Sequence, residues 1–351
     1  MAGSAPEHAP EIDRVKGLAI LLVIAIHAKI GEGSIVHEQF VNRAVPIFLF
    51  VFGLMSELSL QRARESGRSL GAWYRGRLER LYVPIWGMAA LFWLAVLVTG
   101  APPLPIGAPH ALLTFLGYSP WIGPSWFVTL VIQLVLLFPA LHWVMNRLGP
   151  WLALALAVTI SMICLYYSLQ IADYGLRLLG RNVPPPGWFY DWIFVPRCLS
   201  TVVAGMVVAR LWGTKPGPRV TVAAVAVSLF AETAVWLVRP EEFIVGTLRK
   251  LMVMQLWDVP VALAVLGLFA NVPLPALVAR PLEWCGRWSW GIYLGHVVVF
   301  EVAHMLKQFP EAGLASGRLL YGAFLLFSGA VLALSGDALR RRGHAALVGV
   351  R

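Results

Sequence analysis

The chain has 351 residues, 59% of them hydrophobic and 13% charged, with a net charge of +10. Soluble domains average about 25% charged residues, so an ordinary water-soluble globular protein is excluded. The positive charge fits a membrane better than nucleic acid, because the basic residues sit in short connections between apolar runs; no nucleic-acid partner is expected.

Those runs are about 18–22 residues long, enough for a helix to cross a bilayer. They lack the polar–apolar alternation of a closed β-barrel. They predict an all-α, polytopic transmembrane helical bundle with about ten spans, near 15–33, 41–60, 82–100, 125–145, 150–170, 190–211, 219–238, 250–270, 286–306 and 317–337. With the N-terminus inside, 18 of the 28 Lys and Arg residues fall on the cytoplasmic side. They include Arg62, Arg64, Arg68, Arg75, Arg77 and Arg80, and the closing set Arg340, Arg341, Arg342 and Arg351. This bias places both termini in the cytoplasm. The domain reading is a cytoplasmic tail over 1–14, a transmembrane domain over 15–337 and a basic cytoplasmic tail over 338–351. Residues 1–13 are polar without a basic n-region, so the first span is expected to be retained. Cys164, Cys198 and Cys285 follow no metal or redox spacing, and no metal is expected.

The first span carries Lys16 and His27, eleven positions apart. At about 100° per residue this is roughly three full turns, so both side chains share a face. At about 1.5 Å per residue they stand roughly 16 Å apart, about half an apolar bilayer core. An ionisable group that deep needs a partner or a task. His27 is therefore read either as a ring bonded to a neighbouring helix or as a general base. Lys16 is either an inside-facing anchor or the cationic partner below that ring. Arg14, about 220° round the helix from His27, points elsewhere.

On the approach to the third span, Arg77 and Arg80 are spaced i, i+3 and share a helix face. They either follow the positive-inside bias or form a phosphate clamp, because guanidinium forks match phosphate oxygens with paired hydrogen bonds. Coenzyme A, with its pyrophosphate and 3′-phosphate, suits such a pair. The outer connections differ. Residues 101–124 hold no charge and end in Trp121-Ile122-Gly123-Pro124; further on come Pro184-Pro185-Pro186 and Trp188, Tyr190 and Trp192. These are either plain loop and aromatic belt or an outer lid over a cavity.

Five phrases in chain order carry a family resemblance. Lys16 and His27 match a basic residue, ten others and a histidine. Next come Val45-Pro46-Ile47-Phe48-Leu49-Phe50-Val51-Phe52-Gly53 and, with the Arg-x-x-Arg pattern, Arg77-Leu78-Glu79-Arg80. Pro124-Ser125-Trp126-Phe127 and Ser289-Trp290-Gly291-Ile292-Tyr293-Leu294-Gly295-His296 follow. Together they resemble the acyltransferase family 3 membrane proteins over about residues 15–296. Two positions depart from the pattern: Phe52 stands where many members have serine, and Lys16 replaces an arginine, giving a point charge without the bidentate fork. No appended extracytoplasmic domain is expected.

The resemblance implies a multi-pass O-acyltransferase of the bacterial cytoplasmic (inner) membrane, surrounded by membrane lipid. It would move an acyl group, acetyl above all, from cytoplasmic acetyl-CoA or another acyl-CoA to a hydroxyl of a cell-envelope glycan or glycolipid. His27 and Lys16 are the implied catalytic pair, and Arg77, Arg80 and Lys16 the implied donor contacts. His27 would either deprotonate the acceptor or take the acyl group itself. Under this topology Arg197, Glu232, Asp258, His296, Glu301 and His304 fall mid-span or toward the outer side, as interhelical hydrogen bonds or as the lining of a polar cavity. Trp126, Tyr293, His296, Glu301 and Asp258 are the candidate acceptor-binding residues. A transporter or flippase for a glycan or small hydrophobic product is the competing reading, and a structural subunit of an envelope-synthesis complex is the third. The sequence specifies neither the acceptor, nor the acyl group, nor the oligomeric state.

Overall fold

The computed structural model describes residues 9–32, 34, 36–37, 40–99, 126–167, 195–237, 258–305 and 315–348. Among the described residues there are eleven α-helices and no strand. They are α1 (Pro10–His27), α2 (Ala44–Glu65), α3 (Leu70–Thr99), α4 (Trp126–Leu148), α5 (Pro150–Tyr166) and α6 (Leu199–Trp212). The rest are α7 (Pro218–Leu237), α8 (Asp258–Asn271), α9 (Ala276–Arg287), α10 (Ser289–Met305) and α11 (Ala315–Val348). Helix is the form in which an apolar segment satisfies its own backbone hydrogen bonds, which is why these runs adopt it. The expected lid and belt, 101–124 and 171–191 with Trp188, Tyr190 and Trp192, lie outside the described residues.

Three helices among the described residues are long and apolar enough to cross a membrane: Val41–Glu65, Trp126–Leu148 and Gly317–Gly336. Pro150–Cys164, Pro218–Phe230, Asp258–Asn271 and Ser289–Phe300 are shorter apolar helices. The sequence runs near 190–211 and 250–270 begin outside the described residues, so α6 and α8 show only the later part of each.

The chain divides into two compact units. The first comprises the described residues of Met1–Ala19, Arg43–Gly67 and Leu137–Arg287. At its centre is α6, in which every residue from Leu199 to Ala209 is buried, the state of a helix covered on all sides. Helices α2 and α6 meet backbone to backbone. A Cβ at Gly53 would run into the Val202 carbonyl, and one at Gly205 into the Phe50 carbonyl. Reciprocal glycines of this kind let two membrane-type helices approach closely. Ser161 of α5 ties down the turn Val195–Cys198: its hydroxyl donates to the Pro196 carbonyl at 3.0 Å and accepts from the Ser200 N–H at 3.0 Å.

The second unit comprises the described residues of Ile20–Asn42, Arg68–Leu136 and Trp288–Arg351. Here α10 packs against α3 and α11. A Cβ on Gly295 of α10 would stand 2.8 Å from the Gly329 Cα of α11, so the two main chains are nearly in contact. Tyr74 fixes the start of α3, its hydroxyl donating to the Leu136 carbonyl at 2.8 Å.

Several boundaries differ from the sequence reading. Helix α1 begins at Pro10, inside the stretch read as a polar tail, and Glu11 there accepts from the Thr214 hydroxyl at 2.7 Å. It ends at His27 rather than near 33, because Lys29 (φ 54) and Gly31 (φ 70) turn the chain through left-handed conformations. The α9 segment was not expected as a helix. It is amphipathic, burying Ala279, Cys285 and Gly286 while Leu277 and Arg280 are exposed. Helix α11 continues through residues 338–348 of the basic tail.

Candidate active site

In the second unit, the last turn of α1 carries His27, and α10 carries Trp290, Tyr293, His296 and Phe300. Steps of three or four residues put those α10 side chains on one stripe of the helix. The start of α4 adds Trp126 and Phe127. His27 Nδ1 lies 2.8 Å from His296 Nε2. The ring centroids are 5.0 Å apart and the planes 22° apart, so the imidazoles meet edge to edge and nearly coplanar. His296 is 0% exposed, and its Nδ1 lies 3.3 Å from the Ile292 carbonyl one turn earlier. His27 is half-buried.

Aromatic rings wall this pair. Phe300 lies 5.2 Å from the His27 ring at 45°. Tyr293 presents an edge to His296 at 5.4 Å and stacks on Trp290 at 5.7 Å. Phe127 meets Tyr293 edge-on at 5.5 Å, and Trp126 meets Phe127 at 5.9 Å. From Trp126 to His27 the rings are therefore continuous. Such a wall lowers the local dielectric on the His296 side of the pair, where a hydrogen bond is electrostatically stronger than in water.

Arg77 and Arg80 lie on α3. The Arg77 guanidinium covers the Trp73 ring, with Cζ 5.4 Å from its centroid, an i, i+4 cation–π contact. Burial, and then the neighbouring Arg80 charge, pull Arg77 down to about 10, so it remains charged at neutral pH in a place where positive charge is costly. Arg80 is exposed, and its Nε donates to the Gly76 carbonyl at 2.7 Å. Two guanidinium groups so placed can take a phosphate-bearing ligand, which would relieve their mutual repulsion.

The other predicted residues are placed differently. Lys16, on α1, forms an ion pair with Asp13 at 2.6 Å. Arg14 diverges from it and donates to Glu283 of α9 at 2.8 Å. Asp258 belongs to the first unit, where the buried Arg43 donates to its Oδ1 at 3.0 Å; the imidazole pair belongs to the second. Glu301 follows Phe300 on α10, and Glu232 and His304 lie on α7 and α10, but those side chains are outside the described residues. Among the described residues no group of three His, Cys, Asp or Glu side chains is arranged to hold a metal ion.

Sequence reasoning passed over the most deeply buried charge among the described residues of the first unit. Glu57 of α2 accepts from His142 Nδ1 of α4 at 2.9 Å and from Arg210 Nε of α6 at 2.7 Å. The available signal was a carboxylate within an apolar run, a placement that calls for a partner.

Described residues whose regular structure is helical, helices long and apolar enough to span a bilayer, and a part-buried imidazole pair define a membrane-type helical protein with a candidate proton-transfer site. The family model described as an acyltransferase domain matches residues 10–336, nearly the whole chain, and the chain belongs to this acyltransferase family. No curated protein and no solved structure matches it.

Proposed function

We propose that the chain is a multi-pass O-acyltransferase of a bacterial cytoplasmic membrane, with about ten spans and both termini in the cytoplasm. In this reading acetyl-CoA, or another acyl-CoA, is the donor and a hydroxyl of a cell-envelope glycan or glycolipid is the acceptor. The observation that carries it is the His27–His296 contact at 2.8 Å within an aromatic wall, in a chain that belongs to an acyltransferase family.

Arg77 and Arg80 hold the donor's phosphates through charge-assisted hydrogen bonds. Lys16, three helical turns before His27 on α1, would add a donor contact on exchanging its Asp13 partner for a phosphate oxygen. The acceptor oxygen bonds the thioester carbon while His27 takes the hydroxyl proton; the C–S bond breaks, and the leaving thiolate recovers that proton from the imidazolium. In the covalent variant His27 itself bonds the thioester carbon as the C–S bond breaks, and the acyl group then passes to the acceptor oxygen, whose hydroxyl proton ends on the departed thiolate. Trp126, Tyr293 and Glu301 are the acceptor-side contacts. Asp258, bonded to Arg43, is better read as holding the first unit together.

Mass spectrometry of envelope glycans from cells making the wild-type chain or His27→Ala tests this reading. The wild-type chain should add one acyl mass to one glycan class, and His27→Ala should not. Identical glycan profiles with and without the wild-type chain, or full acylation by His27→Ala, would overturn it.

A further inference from the structure

His296, read from the sequence as an acceptor contact, has its Nε2 committed to His27 and is closed to solvent. We infer that His296 is a positioning residue that holds His27 as the Nδ1–H tautomer, so that Nε2 of His27 is the reacting atom. The inference rests on the reading of His27 as the reacting imidazole and goes on to say which nitrogen reacts and what selects it.

The argument starts at the fixed end of the chain of contacts. A backbone carbonyl only accepts, so His296 Nδ1, 3.3 Å from the Ile292 oxygen, carries a proton. A neutral imidazole has one N–H, so His296 Nε2 is bare and accepts. Its partner at 2.8 Å is His27 Nδ1, which therefore donates. The one proton of the neutral His27 ring is then on Nδ1, and the Nε2 lone pair is left for chemistry. The reverse arrangement would set a bare His296 Nδ1 against the Ile292 carbonyl oxygen, lone pair facing lone pair. No solvent reaches His296 to relieve that, and an unsatisfied buried polar pair is costly.

Packing holds the relay in place. A Cβ on Gly329 would stand 2.7 Å from the Ile292 oxygen, so α11 lies directly against the anchoring carbonyl. Tyr293 presses on the His296 ring and Phe300 on the His27 ring, limiting their rotation. When His27 Nε2 takes the acceptor proton, the Nδ1–H bond to His296 supports the new positive charge. A partner on the nitrogen remote from the chemistry is how a general-base histidine is kept in the useful tautomer. The covalent variant needs the same free Nε2 lone pair.

The test uses full-length protein in detergent, labelled with 15N-histidine, with His27 signals identified as those lost in His27→Ala. His296→Gln keeps an acceptor at about the same reach; His296→Leu keeps bulk and removes the acceptor. His27 should be protonated at Nδ1 in the wild type and in His296→Gln, and at Nε2 in His296→Leu. With acetyl-CoA as donor and extracted envelope glycan as acceptor, His296→Leu should lower kcat at least about 100-fold with the donor KM little changed, and His296→Gln should stay within about tenfold of wild type. A wild-type His27 protonated at Nε2, or equal kcat losses in the two variants, overturns the inference. Should His296→Leu fail to fold, the wild-type and His296→Gln spectra still decide. A wild type that is inactive yet protonated at Nδ1 would sink the acyltransfer reading while leaving the tautomer assignment standing.

Discussion

Arg210 of α6 and Glu57 of α2 form an ion pair at 2.7 Å in which the Glu57 side chain is 0% exposed. The carboxylate also accepts from His142 Nδ1 and from Gln61 Nε2, each at 2.9 Å, and Arg210 Nη2 donates to the side-chain Oδ1 of Asn146 at 2.7 Å. Both charges are tolerated because their hydrogen-bonding capacity is largely filled. Removing either partner takes the main counter-charge from the other; a fully buried pair loses about 3–5 kcal/mol in that way, and the remaining partners and the part-exposed Arg210 put this one at the lower end. Glu57→Leu and Arg210→Met should each destabilise the protein by about that amount. The double variant should recover much of the loss, because no unpaired charge remains. Thermal melts of the four forms in detergent give the coupling energy, and additive effects would count against the pair.

A second expectation concerns the α2–α6 contact. A Cβ at position 53 meets the Val202 carbonyl, which belongs to a backbone and cannot swing aside. Gly53→Ala should therefore force the helices apart, with a loss of about 1–3 kcal/mol or more. Gly87 of α3 has nothing within 4 Å of its would-be Cβ. Gly87→Ala should be neutral or stabilising by about 0.5–1 kcal/mol, since it exchanges glycine for a better helix former. Size-exclusion profiles after a heating series separate the two outcomes.

These contacts mark where the sequence could and could not be read. The placement of Lys16 and His27 on one helix follows from spacing alone, and both lie on α1. The helix end at His27 was not readable, because the left-handed turn falls on Lys29, a residue type that does not announce it. Helix α9 falls between two predicted spans and contains Pro281, a residue that ordinarily breaks a helical pattern, which kept it from view. The pairings were the least accessible. His27 and His296 are 269 residues apart, Arg43 and Asp258 215, and Glu57 and Arg210 153. Periodicity says which face of a helix is apolar, but not which distant helix will cover it. His296 could thus be singled out by its phrase while its partner could not.

The arginine clamp makes a third prediction. Arg77 is fixed over Trp73 and Arg80 is exposed beside it, so the two differ in freedom although both are guanidinium groups. Arg77→Lys keeps the charge but loses the planar fork and its stacking. The apparent KM for acyl-CoA should rise about tenfold in Arg77→Lys and further in Arg77→Ala, with kcat nearly unchanged, since a charged hydrogen bond contributes about 1.5–3 kcal/mol. Steady-state kinetics with varied donor measure this. A fall in kcat at constant KM would place Arg77 outside donor binding.

The last prediction uses the packing beneath His296. The Ile292 carbonyl sets the orientation of that ring, and Gly329 of α11 lies against it: a Cβ there would come within 2.7 Å of the Ile292 oxygen and 3.2 Å of the His296 backbone nitrogen. Gly329→Ala must therefore displace either α11 or the carbonyl. A displaced carbonyl rotates His296 and, through it, His27. Small misplacements of a reacting group are amplified, with about 1 Å costing up to about 100-fold in rate. Gly329→Ala should lower kcat at least about tenfold while leaving the donor KM near its wild-type value, because Arg77 and Arg80 lie on α3. Gly317 of the same helix has nothing within 4 Å of its would-be Cβ, so Gly317→Ala should change neither constant. Measuring both variants by acyl transfer and by thermal melting separates misalignment from loss of fold: a kcat loss in Gly329→Ala at assay temperatures well below its melting point locates the effect in the orientation of the imidazole pair.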